Sequence, residues 1–128
     1  MPGSKYLRHL VTVLLTMNNL NVCEIFKSIQ GESTFAGCLC TFVRLSGCNL
    51  RCTYCDTTYA FTEGTQYTVK NIIDEVVALG NNIVEITGGE PLYQNNTGAL
   101  CNELLHQGFT VLVETNCSDD ISAISERC

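Results

Sequence analysis

Basic residues are scarce in this chain of 128: seven Lys and Arg stand against 13 Asp and Glu, a net charge of −6. The deficit excludes the positive footprint on which nucleic-acid binding depends, so no polyanion partner is expected. No stretch approaches the roughly 20 apolar residues that cross a bilayer, so no membrane partner is expected either. Only two prolines occur, and no repeat, linker or low-complexity tract breaks the sequence. At this length a second full core is excluded, and one domain remains. Charged residues are only 16% and apolar ones 45%, which excludes a disordered chain.

The charge is unevenly spread: residues 1–68 carry five basic and four acidic groups, residues 69–128 two and nine. Residues 5–17, KYLRHLVTVLLTM, resemble a weak secretory signal, but the apolar run is short and no A-x-A-like cleavage site follows. Residues 1–16 are therefore expected to be an extension or a mis-assigned start, with the folded domain spanning 17–128 in the cytoplasm.

What the chain has in quantity is cysteine, nine in all, close to the level at which a disulfide scaffold is the default for short secreted chains. The count is odd, and Cys48, Cys52 and Cys55 lie within eight residues, too tight for a framework of bridges. Thiolates at this spacing suit zinc or an iron–sulfur cluster. A structural zinc needs a fourth ligand, for which Cys23, Cys38 and Cys40 are candidates. Three thiols on one loop, with no paired C-x2-C elsewhere, fit a cluster with one iron left open. Cys23, Cys38, Cys40, Cys101, Cys117 and Cys128 otherwise read as small buried residues or free thiols.

Three runs rich in β-branched or aromatic residues predict strands: Thr41–Leu45, Ile83–Thr87 and Phe109–Thr115. Between them, Thr68 caps a helix with apolar positions Val69, Ile72, Ile73, Val76 and Val77, stopped by Gly80. A second helix is expected over Thr97–Gln107, with Leu100, Leu104 and Leu105 inward and Gly108 ending it; a further helix start is open after Ser118. The order βαβαβ implies parallel strands and right-handed crossovers. In such sheets ligands gather at the carboxyl ends of the strands. There lie the cysteine loop, Gly88-Gly89-Glu90-Pro91 and Glu114-Thr115-Asn116.

The C-x3-C-x2-C spacing, with Tyr54 just before the last cysteine, resembles the signature of the radical S-adenosylmethionine superfamily. Further segments are Ser28-Ile-Gln-Gly-Glu32, Phe42-Val-Arg-Leu-Ser-Gly-Cys48, Cys55-Asp-Thr-Thr-Tyr-Ala60, Thr87-Gly-Gly-Glu-Pro-Leu92 and Glu114-Thr-Asn116. Together they closely resemble the 7-carboxy-7-deazaguanine synthase family over about residues 22–117. The resemblance implies an α/β fold, the N-terminal half of a partial (β/α)6 barrel. It implies a carbon–nitrogen lyase that turns 6-carboxy-5,6,7,8-tetrahydropterin into 7-carboxy-7-deazaguanine with loss of ammonia, towards queuosine.

By the same resemblance Cys48, Cys52 and Cys55 hold a [4Fe-4S] cluster whose open iron chelates S-adenosylmethionine. Tyr54, Gly88, Gly89, Glu90, Glu114 and Asn116 surround that cofactor. Gln30 and Glu32 meet the pterin edge, Arg44 its carboxylate by a bidentate fork, and Thr57 helps to hold Mg2+, with Asp56 ordering that shell. An electron donor such as flavodoxin or ferredoxin and a homodimer are implied partners. The chain departs from the family at Ser33 and Cys117, where glycine is usual, and at Leu39, where proline is. It is also shorter than the family's roughly six-stranded barrel, and a truncated or partial sequence is expected. Two other readings are a glycyl-radical activating enzyme, against which the Q-G-E and C-D-T segments speak, and an inactive zinc-binding fragment.

Overall fold

A computed structural model describes residues 3–128. Its eight regular elements are helix α1 (Gly3–Met17), strands β1 (Asn19–Ile29), β2 (Leu39–Leu45) and β3 (Thr65–Thr68), helix α2 (Val69–Leu79), strand β4 (Ile83–Gly88), helix α3 (Thr97–His106) and strand β5 (Thr110–Val113). The strands form one sheet in the order β3-β1-β2-β4-β5.

The three strands expected from sequence are β2, β4 and β5, and they are parallel: Thr41 pairs with Val84 and Val84 with Val111. The strands β1 and β3 are additions that the sequence pattern did not announce. They make the sheet mixed, because β1 runs antiparallel to both β2 and β3. Parallel pairing therefore describes the core of the sheet and not its β1 side.

The helices form where the pattern places them. Thr68 Oγ1 accepts from Asn71 N at 3.1 Å, and α2 stops at Gly80, whose φ of 75° is left-handed. Val69, Ile72, Ile73 and Val76 are buried, whereas Val77 is exposed. Leu100 and Leu104 of α3 are fully buried, and Gly108 turns the chain at φ 91°. After Ser118 there is only one 3-10 turn, Ile121–Ala123, which Asp120 caps.

Alternation gives the sheet two unlike faces. Val22, Val43, Leu45, Val84, Ile86 and Val111 are buried in one cluster with α2 and α3. Phe42 and Arg44 of β2 and Glu85 and Thr87 of β4, of the opposite parity, take the other face, and a bulge between Val22 and Glu24 turns Glu24 and Phe26 of β1 to that side as well, in the registers Phe26–Phe42–Glu85 and Glu24–Arg44–Thr87. A face carrying two carboxylates and a guanidinium is not a packing face.

Helix α1 neighbours α2 and β3, yet Tyr6, Leu7, Leu10 and Leu14 are exposed. Residues 1–2, part of the expected extension, lie outside the described residues. Among the described residues no helix is long and apolar enough to cross a membrane.

Candidate active site

The polar face of the sheet and the loops at the carboxyl ends of β2, β4 and β5 enclose a cavity of about 570 Å³. Its walls include Cys48, Cys52, Cys55, Tyr54, Asp56 and Thr57 from the loop after β2. Gly88 and Gly89 line it after β4, and Glu114 and Asn116 after β5. Arg44, Phe26, Phe42, Glu85 and Thr87 line it from the sheet itself.

The cysteine loop is pinned to its neighbours. Gly47 N donates to Ala60 O at 2.7 Å, and Gly47 O accepts from Glu90 N at 2.8 Å. Arg51 Nη1 donates to the carbonyls of Cys48 (2.8 Å) and Leu50 (2.7 Å), with its guanidinium 4.1 Å from the Phe61 ring. Asn49 Oδ1 accepts from Asn116 Nδ2 at 3.2 Å, and Asn49 Nδ2 donates to Ser118 Oγ at 2.7 Å, joining this loop to the one after β5.

The paired glycines are dictated by contact with that loop. A Cβ on Gly88 would lie 2.3 Å from Leu45 O, and one on Gly89 would lie 2.2 Å from Gly47 O and 2.8 Å from Cys48 Cβ. Neither position admits a side chain, so the backbone after β4 touches the base of the thiol loop.

Glu90 is fully buried and is not a cavity wall. Its Oε1 accepts from Leu92 N (2.9 Å) and Thr115 Oγ1 (2.7 Å), and its Oε2 from Asn116 N (2.7 Å). Here the carboxylate ties the turn after β4 to the end of β5. Gln30 is likewise buried and off the cavity surface. Its Nε2 donates to Glu85 Oε1 at 2.7 Å and its Oε1 accepts from Glu32 N at 3.3 Å. The Glu32 side chain is exposed and lies off the cavity wall. Gln30 and Glu32 are therefore not brought onto the surface that Arg44 and the cysteines share.

Arg44 is half-enclosed. Its Nε donates to Glu24 Oε1 at 2.8 Å, and the guanidinium lies 5.9 Å from the Phe26 and Tyr59 ring centres. Tyr59 Oη donates to the same Glu24 oxygen at 2.7 Å. Burial acts to raise the Glu24 pKa, but the bonds from Tyr59 and Arg44 outweigh it and hold the carboxyl below its ordinary value. With Nε committed, the Nη edge is the part of the fork left to meet an anion.

Thr57 Oγ1 donates to Asp56 Oδ1 at 2.7 Å on the rim, and Thr87 Oγ1 donates to Glu114 Oε2 at 3.2 Å. Tyr54 is 87% exposed. Glu85, Thr87, Phe26, Phe42 and Arg51 were not foreseen as site residues. The available signal was Glu85, a charge in the middle of the apolar run IVEIT.

The donor set suits a cluster. Three thiols share one cavity wall, and Leu50 N donates to Cys48 Sγ at 3.4 Å, the kind of amide contact that stabilises thiolate sulfur. Among the described residues no three His, Cys, Asp or Glu side chains converge on one point. A cubane takes each thiolate at a separate iron and does not require the three to converge on one point. Burial pushes the Cys40 thiol up to about 11 and the Cys101 thiol to about 12, so neither supplies a ready thiolate as a further ligand.

Comparisons with known proteins agree with this geometry. The chain is 53% identical over 96 residues to a 7-carboxy-7-deazaguanine synthase of Chlorobaculum tepidum, covering 75% of this chain and 44% of that protein. It is 43% identical over 99 residues to one of Koribacter versatilis, covering 76% and 44%. The chain thus spans less than half the length of these relatives. The crystal structure of QueE from Escherichia coli superposes with a TM-score of 0.75 at 22% identity, over 86% of this chain and 57% of that one, and shows the same fold. The profile of the Radical SAM superfamily matches residues 42–126, from β2 through the cysteine loop to the 3-10 turn after β5. The chain therefore belongs to the radical S-adenosylmethionine superfamily, which implies a [4Fe-4S] cluster and S-adenosylmethionine as cofactors.

Proposed function

We propose that this chain carries the cluster half of a 7-carboxy-7-deazaguanine synthase, a carbon–nitrogen lyase of queuosine biosynthesis acting on 6-carboxy-5,6,7,8-tetrahydropterin with release of ammonia. The observation that carries the reading is that one cavity brings the cysteine trio within the same walls as the Arg44 fork. The identity to the Chlorobaculum protein over most of this chain supports the choice within the superfamily.

In this reading Cys48, Cys52 and Cys55 hold the cluster, and Gly88, Gly89, Tyr54, Glu114 and Asn116 shape the space for S-adenosylmethionine. Once bound, these cofactors supply the one-electron chemistry that starts the rearrangement. The chain itself supplies position. Arg44, braced by Glu24 and Tyr59, meets the substrate carboxylate, the Phe26 and Phe42 rings offer an apolar wall, and Glu90 fixes the turn against which the cofactor rests. Thr57 and Asp56 present hydroxyl and carboxylate oxygens of the kind Mg2+ takes. Gln30 and Glu32 act on the pterin edge indirectly, through the Glu85 wall. Flavodoxin or ferredoxin as reductant, a homodimer, a cytoplasmic setting and residues 1–16 as an extension outside the catalytic domain complete the proposal. The exposed apolar side chains of α1 support the last of these.

Anaerobic reconstitution with iron and sulfide tests it. About four irons per chain, with visible absorbance that bleaches on reduction, is the expected result, lost in Cys52→Ala. One colourless zinc per chain refutes the cluster. Reconstituted chain is then offered the tetrahydropterin or a glycine-bearing protein; hydrogen loss from the protein glycine would point instead to an activating enzyme.

A further inference from the structure

Resting on the pterin reading, we infer that Glu85 is a specificity-determining residue that takes the amidine edge (ring N–H and exocyclic NH2) of the substrate's 2-amino-4-oxo pyrimidine ring, with Gln30 as its positioning residue. Glu85 is 7% exposed and lines the cavity. A carboxyl in such a wall needs donors. Gln30 Nε2 supplies one to Oε1 at 2.7 Å. Burial first, then the neighbouring Glu114, pushes the Glu85 carboxyl above its ordinary value. A ligand bringing two parallel N–H groups would give the charged carboxylate donors that offset its burial and the neighbouring Glu114 charge.

Placement along the sheet gives the direction. Glu85 pairs with Phe42, and Arg44, two residues further along β2, pairs with Thr87. Two residues of strand separate the two rows by about 6.6 Å on the same face, shorter than a 6-carboxypterin with its bonding partners, so the two side chains must splay apart to take its ends; Glu85 does so, directed away from the Arg44 row towards Gln30. On the Glu85 row itself Phe42 stacks on Phe26, ring centres 5.2 Å apart and planes 12° from parallel, leaving an apolar flank for a flat ring. A carboxylate at the Arg44 end and an amidine at the Glu85 end are the two termini of a 6-carboxypterin. Glu114, bonded to Thr87 on the adjoining row, is the second acceptor beside that edge.

Fluorescence titration of the whole chain with pterin-6-carboxylate, and with lumazine-6-carboxylate, which carries a 2-oxo group in place of the 2-amino group, tests the inference. Wild type is expected to bind the pterin about tenfold or more tightly than the lumazine, as for loss of a hydrogen bond to a charged group. In Glu85→Gln that ratio falls to near one while the shared carboxylate keeps both ligands bound. A wild-type ratio of one overturns the inference whether or not the variant folds, and so does a ratio unchanged in Glu85→Gln. If wild type binds neither ligand, the pterin reading itself fails and takes the role of Glu85 with it.

Discussion

Cys117 is the sharpest place to test the backbone reasoning. It is one of two non-glycine residues with positive φ among those described, at 59°; the other is Ser33 at 62°. A side chain in the left-handed region costs about 1–2 kcal/mol, and glycine returns about 0.5–1 kcal/mol of that through its freer unfolded state. At Cys117 little else is lost on going to glycine. Its N–H bond to Thr115 Oγ1 at 3.1 Å is backbone and survives, and the Sγ contact with Thr115 O is long at 3.7 Å. Cys117→Gly is expected to stabilise by about 0.5–1 kcal/mol, a rise in Tm of about 2–4 °C at this size. Ser33→Gly differs, because Ser33 Oγ accepts from Phe35 N at 3.1 Å, and losing that bond offsets the relief to near zero. The assay is thermal unfolding by circular dichroism under reducing, oxygen-free conditions, with Cys117→Ala as the control that keeps Cβ and removes only sulfur. If Cys117→Ala gains as much as Cys117→Gly, the thiol and not the backbone is responsible, and the argument is refuted.

Other outcomes follow from the same structure. Glu90→Gln turns an acceptor towards Thr115, Leu92 or Asn116 into a donor; it is expected to cost about 2–3 kcal/mol in urea unfolding, and a change under 0.5 kcal/mol would dismiss the carboxylate as a tie. Gly89→Ala forces a methyl group against Gly47 O; iron retained after reconstitution should drop several-fold, and full retention would show that the two loops need not touch. The pH dependence of stability reports on Glu85. Its folded pKa is raised above the ordinary 4.5, so the native state holds the proton longer than the unfolded chain and stability falls as pH climbs from about 4.5 through the raised value. Glu85→Gln should lose that downward slope, and an identical slope in variant and wild type would contradict it.

Sequence pattern made much of this molecule legible, for identifiable physical reasons. The β2, β4 and β5 strands announce themselves because their core-facing residues Val43, Leu45, Val84, Ile86 and Val111 are aliphatic and mostly β-branched, the composition a pleated, half-buried surface selects. The apolar stripe of α2 and its Thr68 and Gly80 boundaries carry their own stereochemistry. Strand β1 escaped because its inward and cavity faces alternate with charged Glu24 and Lys27, so NLNVCEIFKSI shows neither a clean alternation nor an apolar run. Strand β3, four residues long, is created by pairing with β1 rather than by local preference. In the site, cysteine spacing needs no tertiary context, and Arg44 lay beside it in the chain. The partnership of Gln30 with Glu85 joins positions 55 apart, and the inward burial of Glu90 depends on the end of β5. No local signal encodes either.

The sheet also sets an order of assembly. Strands β1 and β2 pair Ile29 with Leu39, ten residues on, whereas β2 and β4 pair Thr41 with Val84, 43 residues on. Short loops close at lower entropic cost and faster, so the hairpin bearing Glu24, Phe26, Phe42 and Arg44 stands ready while β4 is still being recruited. Until Gly88 and Gly89 arrive, the thiol segment between them is an open strap. Once the seam between β2 and β4 has closed, Cys52 is still exposed and Cys48 and Cys55 only half-buried, so iron and sulfide can reach the thiols after folding as well as before it.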